Sequence, residues 1–218
     1  MKLIAKALLA TLLVTSFTWV TPSTTPAFAA DDTLAAVAIE KLPVKGKAPK
    51  TGYERSLFSD GWGRINGCTV RNFILIRDLK SVTYRSNCVV NTGVLNDPYT
   101  KKRINFRYGV KTSSAVQIDH VVALSDAWQK GAQSLNANQR YGLYNDPLNL
   151  LAVDGPTNAS KGDKDAASWL PPNKSYRCAF VARQIAVKLK YKLWLASAEK
   201  TTMNQVLSTC PKQKLPTR

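Results

Sequence analysis

This 218-residue chain carries one histidine, and its 14 acidic residues are outnumbered by 31 Lys and Arg. With so little histidine, proton transfer by an unperturbed imidazole near neutral pH is confined to one position, His120. A buried structural histidine is the competing reading of any such lone residue. The four cysteines, Cys68, Cys88, Cys178 and Cys210, contain no pair at the roughly two-to-four-residue spacing of a zinc knuckle, and a single histidine does not make up the deficit. An even cysteine number in an exported chain suits two disulfides; of the three possible pairings, sequence proximity suggests Cys68 with Cys88 and Cys178 with Cys210. Long apolar runs are lacking as well. The stretch from Ala7 to Val20 is interrupted by Thr11, Thr15, Ser16 and Thr18, and it falls short of the roughly 20 apolar residues of a membrane span.

What that stretch does resemble is an export signal. Lys2 and Lys6 precede the apolar run, and Ala27-Phe28-Ala29 has the small-x-small form of a signal-peptidase site. Residues 1–29 are therefore expected to be a signal peptide and the mature protein to be secreted, extracellular or wall-associated. Cleavage removes two lysines and no acid from a formal charge of +17, leaving +15. Such an excess attracts polyanions: nucleic acid, anionic lipid surfaces or acidic wall polymers. Charge alone does not choose among them, and it also serves solubility. Residues 30–52, Lys-rich and broken by Pro43, Gly46, Pro49 and Gly52, read as a mobile arm or a strap over the domain. Residues 53–218 have the length of one domain with its own core, expected to act as a monomer.

Within that domain the apolar run from Phe73 to Leu79 leans towards helix. Residues 82–84, 88–95 and 103–108 read as short strands, with alternating or β-branched residues between Asn, Gly, Asp and Pro. Residues 125–130, 137–144, 175–192 and 197–207 read as helices, the third with Val181, Ile185 and Leu189 on one stripe. The fold class is α+β, a small antiparallel sheet with helices.

The chemistry concentrates in two segments. In Ile118-Asp119-His120-Val121-Val122 a polar pair interrupts apolar residues, as at a strand end opening on a cleft. In Asn145-Asp146-Pro147-Leu148-Asn149-Leu150-Leu151-Ala152-Val153-Asp154-Gly155-Pro156-Thr157-Asn158, a short strand turns at Asp154-Gly155 into a helix with Pro156 in its first turn. Two antiparallel strands and a helix would gather Asp119, His120 and Asn158 around one point. Hard divalent cations suit the oxygens of Asp119 and Asn158 and leave His120 free to act on water.

These motifs, with Asn158-Ala159-Ser160-Lys161-Gly162-Asp163 and the flanking Trp169-Leu170-Pro171-Pro172, resemble secreted HNH (ββα-metal) endonucleases. The likeness is to the HNH domain at the carboxyl end of GmrSD-type restriction endonucleases and runs from about Leu42 to Tyr191. It implies His120 as general base, Asp119 and Asn158 as ligands of a divalent cation (Mg²⁺, with Mn²⁺ as substitute), and Asn149 as the residue orienting the His120 loop. It further implies an endonuclease hydrolysing DNA, with RNA as an alternative, at low sequence specificity. Lys161 and Lys164 could contact phosphates beside the cut, or form a solvated helix end. Lys101, Lys102, Arg103 and Arg107 could extend a backbone track; a solvated hairpin is favoured for them, since nothing in the sequence fixes which way they face. Asp163 and Asp165 read as helix-end caps pairing with Lys161 or Lys164, and Trp128 and Trp169 as core. The competing functional class is a non-catalytic cationic module that binds DNA or anionic wall polymers.

Overall fold

Residues 33–109 and 112–216 are described by a computed structural model. The leader expected over residues 1–29 lies outside them. After the short α1 (Ala35–Ala38), the run around Phe73 is indeed helical: α2 (Val70–Asp78) starts at Thr69, whose hydroxyl accepts the Asn72 N–H, and it buries Val70, Ile74 and Leu75 at helical spacing. Before it, β1 (Arg64–Ile65) and β2 (Cys68–Thr69) form a short hairpin whose turn residues, Asn66 and Gly67, have φ of 50° and 80°. An Asn-Gly pair favours such a turn because both positions tolerate the left-handed region.

β3 (Leu79–Ser86), β4 (Val89–Asn96) and β5 (Arg103–Arg107) form an antiparallel sheet in that order. Its register pairs Leu79 with Leu95, Leu95 with Ile104 and Gly93 with Phe106. Leu79, Leu95 and Phe106 thereby share one face and pack with the buried side chains of α2. A disulfide between Cys68 and Cys88 ties the β1–β2 hairpin to the β3–β4 turn.

β6 (Val116–His120) pairs antiparallel with β7 (Leu150–Asp154), His120 opposite Leu150 and Val116 opposite Asp154. All five residues of β7 are buried. Leu150 and Ala152 belong to the core beneath α2, whereas Leu151 and Val153 belong to the core of the helical layer. This strand is apolar without alternation because both of its faces are covered. The Asp154 carboxylate then accepts the Thr157 N–H to begin α5 (Gly155–Lys161), and Gly162, at φ 55°, ends it. Gly155 tolerates no side chain, since a Cβ there would lie 2.1 Å from the Ser114 carbonyl oxygen.

The helical layer comprises α3 (Leu124–Gln129), α4 (Ala137–Asn145), α6 (Arg177–Lys190) and α7 (Ser197–Ser208). A second disulfide, Cys178 to Cys210, joins the start of α6 to the end of α7. Inside this layer the buried Lys130 ammonium meets Asp126, Asp165 and Glu199 at 2.6–2.8 Å, and Lys188 meets Asp126 and Glu199 at 3.4 and 3.0 Å. The described part of the amino-terminal segment crosses the layer as a strap. The Ala48 N–H donates to Gln129 O, the Trp128 indole to Thr51 O, and Lys47 and Lys50 reach Asp165 and Asp163 at 3.1 and 2.9 Å. No helix among the described residues is long and apolar enough to cross a membrane.

Candidate active site

A cleft of about 370 Å³ opens where β6, α5 and the residues following the strap meet, lined by Arg55, Gln117, Asp119, His120, Asn158 and Asp163 among others. Gln117 and Asp119 stand two apart on β6 and so point to one side of the strand. His120 ends the strand, its ring stacked on Trp62 at 5.9 Å and 5° and tilted against Tyr144 at 4.9 Å. Its Nε2 lies 2.8 Å from the Tyr144 carbonyl oxygen. A carbonyl only accepts, so Nε2 carries the proton and Nδ1 the lone pair. Burial lowers the pKa of the ring from 6.5 to about 3, against the Tyr144 bond and with help from the Arg55 and Lys161 charges. His120 is thus neutral across the physiological range.

Asp119 is buried between two donors: Lys161 Nζ donates to Oδ1 at 2.8 Å and the Tyr99 hydroxyl to Oδ2 at 2.6 Å. Burial pushes this carboxyl up, and Lys161 and Tyr99 pull it down. The same Lys161 ammonium donates to the His120 carbonyl at 2.9 Å. Lys161 is fully buried, so its charge is committed to Asp119 rather than open to solvent. Lys164 is exposed and donates to Ser160 O at 2.6 Å on the helix end. The Asn158 amide nitrogen donates to Gln117 Oε1 at 2.9 Å, which leaves its carbonyl oxygen as the end with acceptor capacity.

Asn149 does not line the cleft. Fully buried, its Oδ1 accepts the Val122 N–H at 2.8 Å, its Nδ2 donates to the carbonyls of Val122 and Leu143 at 3.2 and 3.4 Å, and its own carbonyl accepts the Val121 N–H. It clamps the segment that follows His120 to the end of α4. The expected pairing of Asp163 and Asp165 with Lys161 or Lys164 is overturned. Asp163 pairs with Lys50, and Asp165 with Lys130 and Lys47, because Lys161 turns inward to Asp119. Trp128 and Trp169 pack in or against the core, against Tyr53 and Phe58 and against Tyr99 and Phe180. The sequence reading missed Tyr99, Trp62, Arg55 and Gln117. Only Gln117 left a signal, its strand-period spacing from Asp119.

Among the described residues no group of three His, Cys, Asp or Glu side chains is placed to hold a metal. What Asp119 and Asn158 offer is one carboxylate and one amide oxygen. Each Asp119 oxygen accepts one of the two bonds, from Tyr99 or Lys161, and keeps acceptor capacity beyond it. Such a donor set fits a hard cation that retains most of its waters, as Mg²⁺ does, and is too sparse for zinc.

The chain is 36% identical over 192 residues to a protein of Arthroderma benhamiae described as an uncharacterized secreted protein, covering 87% of this chain and 91% of that one. No solved structure matches it significantly. Residues 70–206 match the family model of the C-terminal domain of GmrSD restriction endonucleases, and the chain belongs to that family.

Proposed function

We propose that this protein is a secreted, divalent-cation-dependent endonuclease that hydrolyses phosphodiester bonds of DNA, with RNA as an alternative substrate. The observation that carries the reading is the meeting of Asp119, His120 and Asn158 in one cleft, with the His120 proton held on Nε2 by Tyr144. Membership in a restriction-endonuclease family, a relative described as secreted and two disulfides support it.

Asp119 and Asn158 are the residues that would hold the cation, which when bound neutralises charge on the scissile phosphate. His120 Nδ1 takes a proton from the attacking water as its oxygen bonds to phosphorus and the bond to the leaving oxygen breaks. A base with a pKa of about 3 is weak in the free protein. General-base assistance to a water held in this cleft is worth about 10²- to 10⁴-fold. Asn149 keeps the His120 segment in place, and Lys161 and Tyr99 keep Asp119 oriented. Arg55, whose guanidinium lies 5.1 Å from the Tyr144 ring centroid, supplies cationic charge at the cleft. Contacts to phosphate carry no base information, so cleavage has low sequence specificity.

Incubating plasmid with the purified protein, with Mg²⁺ and with a chelator, beside His120→Ala, tests the proposal. Cleavage that needs both the metal and His120 is expected. Metal-independent retention of DNA without strand breaks, equal in both proteins, would refute it in favour of a non-catalytic cationic module.

A further inference from the structure

The three-stranded sheet has a second face that the cleft does not use. The side chains opposite the α2-covered face are Lys80 and Thr83 on β3, Thr92, Val94 and Asn96 on β4, and Arg103, Asn105 and Arg107 on β5. The register places them together: Lys80 opposite Val94, Val94 opposite Asn105, Thr92 opposite Arg107 and Asn96 opposite Arg103. The Thr83 and Thr92 hydroxyls, 2.6 Å apart, mark the same face across the strands. Lys80, Arg103 and Arg107 are exposed, and among the described residues none of them forms an ion pair. No Asp or Glu occurs in β3, β4 or β5. Val94 is the one apolar side chain on this face, which rules against a surface built to bury hydrocarbon.

The face is also tied to the cleft. The turn from β4 to β5 is fastened by Asp97, whose carboxylate accepts the Thr100 N–H and the Asp154 N–H, and it delivers Tyr99 to Asp119. Lys101 and Lys102 stand exposed on that turn, between Tyr99 and Arg103. Basic charge is continuous along the chain from the sheet face to the residue that touches Asp119.

We infer that the outer face of the β3–β4–β5 sheet is a docking surface for the phosphate backbone of duplex DNA, holding the strand on either side of the cut. Arg and Lys supply the charge, and Thr83, Thr92, Asn96 and Asn105 supply the neutral hydrogen-bonding groups that commonly contact phosphate oxygens. The inference rests on the nuclease reading for its choice of polyanion, but it concerns residues outside the cleft.

Binding of a 30-base-pair duplex in EDTA, measured across a salt series, compares the wild type with Lys80→Ala/Arg103→Ala/Arg107→Ala. Loss of three phosphate contacts is expected to weaken binding and to reduce the slope of log K against log salt by about 3. Hydrolysis of a small chromogenic phosphodiester, which reaches only the cleft, and the unfolding midpoint are expected to stay at wild-type values. An unchanged salt slope overturns the inference. So does loss of binding to phosphatidylglycerol vesicles with DNA binding intact, or a lowered unfolding midpoint that accounts for the binding loss. Failure of both proteins to cleave anything would refute the nuclease reading while the EDTA binding series still decides the docking surface.

Discussion

Because His120 is the only histidine, the cost of charging its buried ring can be measured without interference from another imidazole. The folded pKa is about 3 against 6.5 for the free side chain, so between those values the unfolded chain binds the proton and the folded one does not. Stability therefore rises with pH through this window; the contribution is complete above 6.5 and is lost as pH falls towards 3. Over the full interval it amounts to about 5 kcal/mol, and between pH 7 and pH 5 to about 2 kcal/mol. Asp119 works in the opposite direction, since burial raises its pKa and the folded state keeps its proton to higher pH. Comparison with His120→Gln separates the two, because the amide can still donate towards the Tyr144 carbonyl and Asp119 is common to both proteins. Urea unfolding in EDTA, followed by tryptophan fluorescence, should show the wild type losing about 2 kcal/mol more than the variant between pH 7 and pH 5. Equal losses would refute the reasoning, as would a single imidazole proton resonance titrating near pH 6.5.

Asn149→Ala strips partners from the buried Val122 N–H and from the Val122 and Leu143 carbonyls, and should lower stability by about 3 kcal/mol; a shift below 1 kcal/mol in urea unfolding would mean the clamp is unimportant. Lys130→Met leaves Asp126, Asp165 and Glu199 short of a shared buried cation, and a loss of about 3–5 kcal/mol is expected by the same measurement. Tyr99→Phe removes the 2.6 Å bond to Asp119 and should raise the Mg²⁺ concentration for half-maximal cleavage about tenfold. An unchanged metal requirement would show that Tyr99 does not orient a ligand.

Local rules made much of the architecture readable. The alternation from residue 88 to residue 95 became β4, the Asp154-Gly155-Pro156 turn became the start of α5, and the four expected helices formed within two residues of their expected ends. The β1–β2 hairpin was overlooked although Asn66-Gly67 marks it, since two-residue strands leave no periodicity to detect. Of the cleft, the Asp119-His120 pair and Asn158 could be named from their motifs, whereas Tyr99 and Arg55 come from segments without a motif.

By itself, then, the sequence determined the class of fold and the cluster of residues around its only histidine; it suggested the cysteine pairing by proximity, which the folded chain then fixed. Strand period also required Arg103, Asn105 and Arg107 to share a side. Only the tertiary structure decided that this side is the open one, because α2 covers the other, and that Lys161 turns inward to Asp119 across 42 positions of chain. Periodicity follows from backbone geometry within a few residues. Which face is buried, and which charge meets which partner, depends on groups far apart in sequence that meet only when the domain packs.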